Sequence, residues 1–298
     1  MKKIASSVAA AALLFGLAGL QAQTLDKIRK DGAITIGHRD SSIPFSYLND
    51  KQEPIGYSMD ICLKIADAVK AELKLPNLTV KMSPVTSATR IPLMANGTID
   101  LECGSTTNNA DRQKQVAYAS TTFITANRSV TKKTANVSNL DGLKGKTIVS
   151  ASGSTNIKQA VELNASRSLG MNILPAKDHA EAFLMVETGR AVAFVMDDIL
   201  LYSLVATAKT PGDYVVSAEG LSVEPYGIML RRDDPSFKAL VDRTVAGLMQ
   251  SGEIEKIYAK WFLAPVPPKN INLNLPISAA LKRVFSKPTD SPDPKLYE

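Results

Sequence analysis

After its first two dozen residues the chain alternates short apolar runs with longer stretches of helical period. Ala33 to Gly37, built of Ile and Thr, reads as a strand. Asp60 to Leu73, with Ile61, Ile65, Ala68 and Val69 set among charges, reads as an amphipathic helix. Val80 to Met82 is strand-like again, and Ile91, Leu93 and Met94 begin a helix that stops at Asn96-Gly97, residue types favoured just past a helix end. A unit of this kind recurs. "RIPLMANGTIDLECGS" over 90–105 gives a helix closed by Gly97 and a strand from Ile99 to Glu102. "AEAFLMVETGRAVAFVMDD" over 180–198 gives a helix closed by Gly189 and a strand from Val192 to Met196 ending in Asp197-Asp198. The likeness is one of architecture, and it predicts two α/β lobes of similar build. Pro235 to Gln250 and Glu253 to Phe262 read as two further helices. "APVPPKNINLNLPIS" is then extended, and "SKPTDSPDPKLYE" is expected to be a loosely held tail of little functional weight.

In open α/β sheets ligands bind beyond the carboxyl ends of strands. The polar residues at such ends are therefore the candidates for chemistry: His38-Arg39-Asp40-Ser41-Ser42, Gly104-Ser105-Thr106-Thr107 and Asp197-Asp198. Adjacent strand residues point to opposite faces, so one member of the Asp pair is expected to face a site. "ASGSTNIKQAV" from Ala151 follows the strand Thr147 to Val149 and opens a helix, whose free N–H groups and hydroxyls suit an anion.

Composition bounds the rest. At 298 residues, 45% hydrophobic and 21% charged, the chain has material for two domains and is not disordered. The formal charge is +6, a hint of polyanion binding. Residues 1–22, however, have a basic start (Lys2, Lys3), an uncharged Ala- and Leu-rich run from Ile4 to Leu20, and small Ala22 before Gln23. That is the layout of a cleaved secretory signal peptide, and its removal takes the charge to +4. The basic residues form no long run and no interleaving with aromatics, so no nucleic-acid partner is expected. Export to an oxidising compartment makes Cys62 and Cys103 relevant, and a bridge or two buried thiols are both open on the sequence. Spacing for a metal is missing, and no cofactor motif is found.

Enzyme signatures are missing too: no P-loop, no G-x-S-x-G elbow, no H-E-x-x-H, and only two histidines, His38 and His179. Three arginines are more informative. Arg39 follows the first strand, Arg90 precedes a helix, and Arg112 follows "GSTTNNAD". With Ser41, Ser42, Ser87, Ser105, Thr107, Ser154 and Thr155 they fit a ligand with more than one carboxylate, since guanidinium meets carboxylate through two parallel charge-assisted bonds. Asp197 supplies the opposite charge for an ammonium. One ligand with two carboxylates and one ammonium is glutamate or aspartate.

Successive segments, "GYSMDICLKIADAV", "NGTIDLECGSTTNNADRQKQVAYAS", "LKGKTIVSASGST", "GRAVAFVMDD", "PYGIMLRRDDPSF" and "SGEIEKIYAKWF", resemble the family 3 extracellular solute-binding proteins of polar amino-acid ABC importers. "GHRDSSIPFSY" and "AKDHAEAF" are most similar to the periplasmic glutamate/aspartate-binding members. The match runs from about Leu25 to Pro268, in order and without large gaps. The resemblance implies a two-lobed α/β clamshell of the type II periplasmic-binding-protein class with two hinge crossovers, near Thr121 to Ile124 and near Glu224 to Gly227. Lobe 1 would be 25–121 and 226–268, lobe 2 would be 124–222, and 269–298 a C-terminal extension. It also implies roles. Arg112 would grip the ligand α-carboxylate, helped by Ser105, Thr107 and Thr155; Asp197 would hold the α-ammonium; Arg39, Arg90, Ser87 and His179 would surround the side-chain carboxylate.

Charge supports the acidic ligand separately. A neutral amino acid would leave Arg39 and Arg90 facing each other without a counter-ion, and buried unpaired charge costs several kcal/mol. His179 could be protonated or a neutral donor. The expected protein is a periplasmic monomer that closes on its ligand and delivers it to an inner-membrane permease. An exported dehydratase-like enzyme, using Glu102, Asp197 or His179 as general acid, and a receptor-coupled sensor are the alternatives.

Overall fold

The structure, a computed structural model, describes residues 24–298. The expected signal segment lies outside the described residues.

Two sheets organise the chain. The first has the strand order Thr79–Pro84, Ala33–His38, Leu101–Glu102, Met229–Arg231, Val116–Tyr118. Its first three strands are parallel, with Ile36 opposite both Met82 and Leu101, whereas Met229–Arg231 runs against both of its neighbours. The second has the order Asn172–Ala176, Thr147–Ala151, Ala193–Asp197, Phe123–Lys132, Tyr214–Val216, and Ser222–Tyr226 also pairs with Phe123–Lys132. It too opens with three parallel strands, then an antiparallel one. The two lobes thus share a strand plan, as the recurring helix–Gly–strand unit suggests.

Parallel neighbours need crossover connections, and helices supply them. Tyr57–Leu73 and Arg90–Ala95 serve the first sheet, Thr155–Ser166 and His179–Glu187 the second. Tyr57–Leu73 turns Tyr57, Ile61, Ile65 and Val69 inward, all 0% exposed, which is the stripe its spacing predicts. Gly97 and Gly189 follow the corresponding helices of the two lobes with φ of +77° and +76°, a conformation glycine takes without a Cβ clash. Cys62 and Cys103 form a disulfide, which ties the first long helix to the end of Leu101–Glu102.

The chain leaves the first sheet after Tyr118, enters the second at Phe123, leaves it at Tyr226 and returns at Met229. The two crossings pair with each other, Tyr226 opposite Phe123 and Pro225 opposite Ile124. Beneath them Phe45, Phe123, Tyr226 and Phe262 pack, with Phe123 4.9 Å from both Phe45 and Phe262 and Tyr226 5.2 Å from Phe45.

The C-terminal stretch is not the loose tail expected. Ser278 caps a helix, Ala279–Ser286, that buries Leu281, Val284 and Phe285. Thr121 N–H then donates to the Thr289 carbonyl at 2.8 Å, and Tyr297 is buried with its hydroxyl bonded to Thr121 and Ser291. The Asp290 carbonyl accepts from Asn108 and Gln113, and its carboxylate pairs with Lys238 at 2.8 Å. Polar composition hid this segment; its apolar residues are few but fall at the i, i+3, i+4 spacing of one helix face.

Candidate functional site

The carboxyl ends of the parallel strands of both sheets meet across one cleft, and the side chains singled out by sequence lie there. On the first lobe, Arg39 directly follows Ala33–His38 and is 2% exposed. Its backbone N–H donates to Ser46 Oγ at 2.8 Å and its Nη2 to Ser87 Oγ at 2.9 Å. Arg90, also 2% exposed, heads its helix and donates from Nη1 to Thr106 Oγ1 at 2.7 Å and to the Ser105 carbonyl at 3.4 Å. Arg112 stands in the short helix Ala110–Gln113, capped by Asn109, and donates from Nη1 to the Thr107 carbonyl at 2.8 Å.

These cations are held at a cost. Burial lowers the Arg39 pKa, partly offset by Glu102. Arg90 is pushed down to about 9, first by burial and then by the charge of Arg112, with Glu102 opposing. Arg39 Nη1, Arg90 Nε and Ser105 Oγ are buried without a protein hydrogen-bond partner. Buried donors are nearly always satisfied, so this wall is built to meet an acceptor.

On the second lobe, Asp197 ends its strand, 2% exposed, and accepts from Asn156 Nδ2 at 2.7 Å and from the Tyr226 hydroxyl. Burial, then the nearby Glu224 charge, pushes its carboxyl up to about 7. Asp198 turns the other way, to Thr125 Oγ1 and Arg128 Nε, as strand alternation requires. His179 opens a helix capped by Asp178. Burial, then Arg39 and Arg90, hold its pKa well below the ordinary value, which favours the neutral imidazole. Thr155 opens the helix Thr155–Ser166, and its hydroxyl donates to Glu224 Oε2 at 2.9 Å.

The lobes touch. His179 Nδ1 lies 3.2 Å from Ser42 Oγ, Arg112 Nη2 donates to the Gly153 carbonyl at 3.3 Å, and Lys158 pairs with Asp111 at 3.1 Å. A Cβ on Gly153 would stand 2.6 Å from Ala88 Cα.

Four residues of this cleft escape sequence reasoning in the roles they take. Asn156 and Tyr226 hold Asp197; Glu224 receives Thr155, Gln159 and Ser222; Glu102, considered only as a general acid, lies beneath the arginines. The position of Asn156, one residue into a helix at a strand end, was a usable signal. Among the described residues no group of three metal-ligating side chains is found, and no bond joins His179 to a carboxylate that could orient it as in a hydrolytic triad. The arrangement suits reversible holding of a zwitterion with an extra anionic group.

The sequence profile of the bacterial extracellular solute-binding proteins, family 3, matches residues 34–264. An L-glutamate/L-aspartate-binding protein of Pseudomonas aeruginosa is 53% identical over 268 residues, 90% of this chain and 89% of that one. A glutamate/aspartate import solute-binding protein of Escherichia coli is 46% identical over 296 residues, 97% of this chain and 98% of that one. Among solved structures, a mutant of ArgBP from T. maritima superposes with a TM-score of 0.72 at 24% identity, covering 80% of this chain and 98% of that one, a likeness of fold.

Proposed function

This chain belongs to the bacterial extracellular solute-binding proteins, family 3, and from that premise we propose that it captures L-glutamate or L-aspartate in the periplasm and delivers it to an ABC-type permease. Its two-lobed clamshell is that of the type II periplasmic binding proteins. The observation that carries the ligand is the trio of buried guanidiniums, Arg39, Arg90 and Arg112, opposite a buried carboxylate, Asp197. Arg112, with Ser105 and Thr107, holds the α-carboxylate; Asp197 holds the ammonium; Arg39, Arg90 and Ser87 take the side-chain carboxylate, with neutral His179 as a hydrogen-bonding neighbour. Thr155 acts from the second lobe's helix start.

Arg39, Arg90 and Arg112 belong to one sheet's loops and Asp197 and His179 to the other's. One ligand joins both sets only when the lobes close, so binding draws the population to the closed form, and the closed form is what a permease reads. Export as a soluble monomer goes with this reading, as does the absence of any catalytic task.

Titration calorimetry with glutamate, aspartate, glutamine and arginine tests it. Binding of the two acids at micromolar or tighter affinity is expected; tight glutamine binding without glutamate binding would overturn it. Arg112→Ala should abolish binding of every amino acid, whereas Arg90→Ala should mainly reduce the preference for an acidic side chain.

A further inference from the structure

Glu102 is 0% exposed and lies in the wall that carries Arg39 and Arg90. Its Oε2 accepts from Thr106 Oγ1 at 2.5 Å, and that hydroxyl accepts from Arg90 Nη1 at 2.7 Å, so acid and guanidinium are linked through one hydroxyl. Its Oε1 is buried without a protein partner. Arg39 passes on the other side: a Cβ on Gly104 would lie 2.3 Å from Glu102 Oε1 and 2.8 Å from Arg39 Cγ, so only glycine leaves space for acid and arginine together.

Of the groups acting on this cluster, Arg112 acts on Arg90 more strongly than Glu102 does, and its charge is the one assigned above to the ligand α-carboxylate; Tyr118 is neutral with its pKa pushed up to about 12 by burial, and His179 is neutral. Tyr226 also acts on Arg39; its hydroxyl is neutral and engaged with Asp197. Asp40 and Asp178 reach Arg39 too, but from exposed and half-buried positions where water screens them. The side-chain end of the cleft therefore holds two guanidiniums and one carboxylate. Its buried charge is a single positive, where the arginines alone would give two.

We propose that Glu102 is a specificity-determining residue that sets the valence of the anion accepted at this end: one negative charge, as on a carboxylate, rather than two, as on a phosphate monoester or phosphonate. The proposal rests on the amino-acid reading above. A monoanion brings the buried charge to balance; a dianion leaves one negative charge uncompensated where water cannot reach it.

O-phosphoserine is the probe, because it carries the ammonium and α-carboxylate of glutamate and its phosphate loses a second proton near pH ~6. Calorimetry between about pH 5 and about pH 8 compares its affinity with that of glutamate. The ratio removes effects common to both ligands, such as titration of Asp197. In the wild-type protein the ratio should fall about tenfold as the second charge appears; in Glu102→Gln it should stay level or rise, ending about tenfold above wild type at the upper pH. A wild-type ratio that does not fall overturns the proposal, as does a lack of phosphoserine binding at the lower pH, since size and not valence then excludes it. Equal weakening of both ligands in Glu102→Gln with the slope unchanged gives Glu102 a structural role instead. If that variant does not fold, the wild-type slope decides. Loss of glutamate binding by the wild type at every pH counts against the ligand reading itself, a separate result.

Discussion

Burial favours the protonated form of Asp197, and on the proposed reading a ligand ammonium would favour the ionised one. Its carboxyl is pushed up to about 7 by burial and by Glu224, against an ordinary value near 3.9. The ligand-free fold therefore binds more protons than the unfolded chain between those values, and this residue's contribution to stability falls as pH rises through that window. An arriving ammonium favours the ionised form. Binding near pH 6 should release a proton, seen as a dependence of calorimetric heat on buffer ionisation enthalpy, and affinity should climb with pH until about 7 and then level. Asp197→Asn should abolish the release along with most of the affinity; proton uptake on binding by the wild type would contradict the assignment. Arg39, Arg90, Asp197 and His179 were legible because each ends or follows a strand or opens a helix, and Arg112 because it stands in the polar stretch after Leu101–Glu102. Glu102 and Glu224 were not, since in a single sequence a buried acid looks like any surface charge.

Gly153 shows what a whole element contributes. It follows the strand Thr147–Ala151 and has φ of +76°, and a Cβ there would stand 2.6–2.8 Å from the backbone of Ala88 and Ser87 across the cleft. Backbone cannot swing aside as a side-chain tip can, so Gly153→Ala should prop the lobes apart. We expect at least a tenfold loss of glutamate affinity by calorimetry, with thermal stability of the free protein lowered by only about 1 kcal/mol for the left-handed residue. The disulfide acts within one lobe, fastening the helix Tyr57–Leu73 to the residue before Gly104. Replacing both cysteines by alanine should cost about 2–4 kcal/mol in denaturant unfolding, most of it from the larger freedom of the unfolded chain. The long helices were readable to within a few residues, Pro235–Gln250 and Glu253–Phe262 to the residue. The strand expected from Ile99 is shorter, Leu101–Glu102, because Asp100 is taken up otherwise, its carboxylate accepting from Thr35 N–H and Lys27 at 2.8 Å. Pairing of this kind depends on residues some 65 positions away, which local periodicity does not register.

At the scale of the molecule, the C-terminal residues span the region where the chain crosses between lobes. The helix Ala279–Ser286 packs against both Pro235–Gln250 and the crossing strand Phe123–Lys132, and Pro294–Tyr297 packs against the other crossing strand, Ser222–Tyr226. Phe285→Ala should therefore cost about 3–5 kcal/mol in thermal or denaturant unfolding; a loss below 1 kcal/mol would mean that the segment is bound no more firmly than its composition suggests. The two-lobe plan was legible from the recurring unit, but not how the sheets are assembled. Residues 123–226 supply every strand of the second sheet from one continuous stretch, whereas the first sheet holds Met229–Arg231 between Leu101–Glu102 and Val116–Tyr118. A chain emerging from its amino end thus has every strand of the second sheet before it can join the two parts of the first. Until about residue 231 is available, Leu101–Glu102 and Val116–Tyr118 have no strand between them, so the sheet whose loops bear the three arginines needs chain from both sides of the second sheet to be complete.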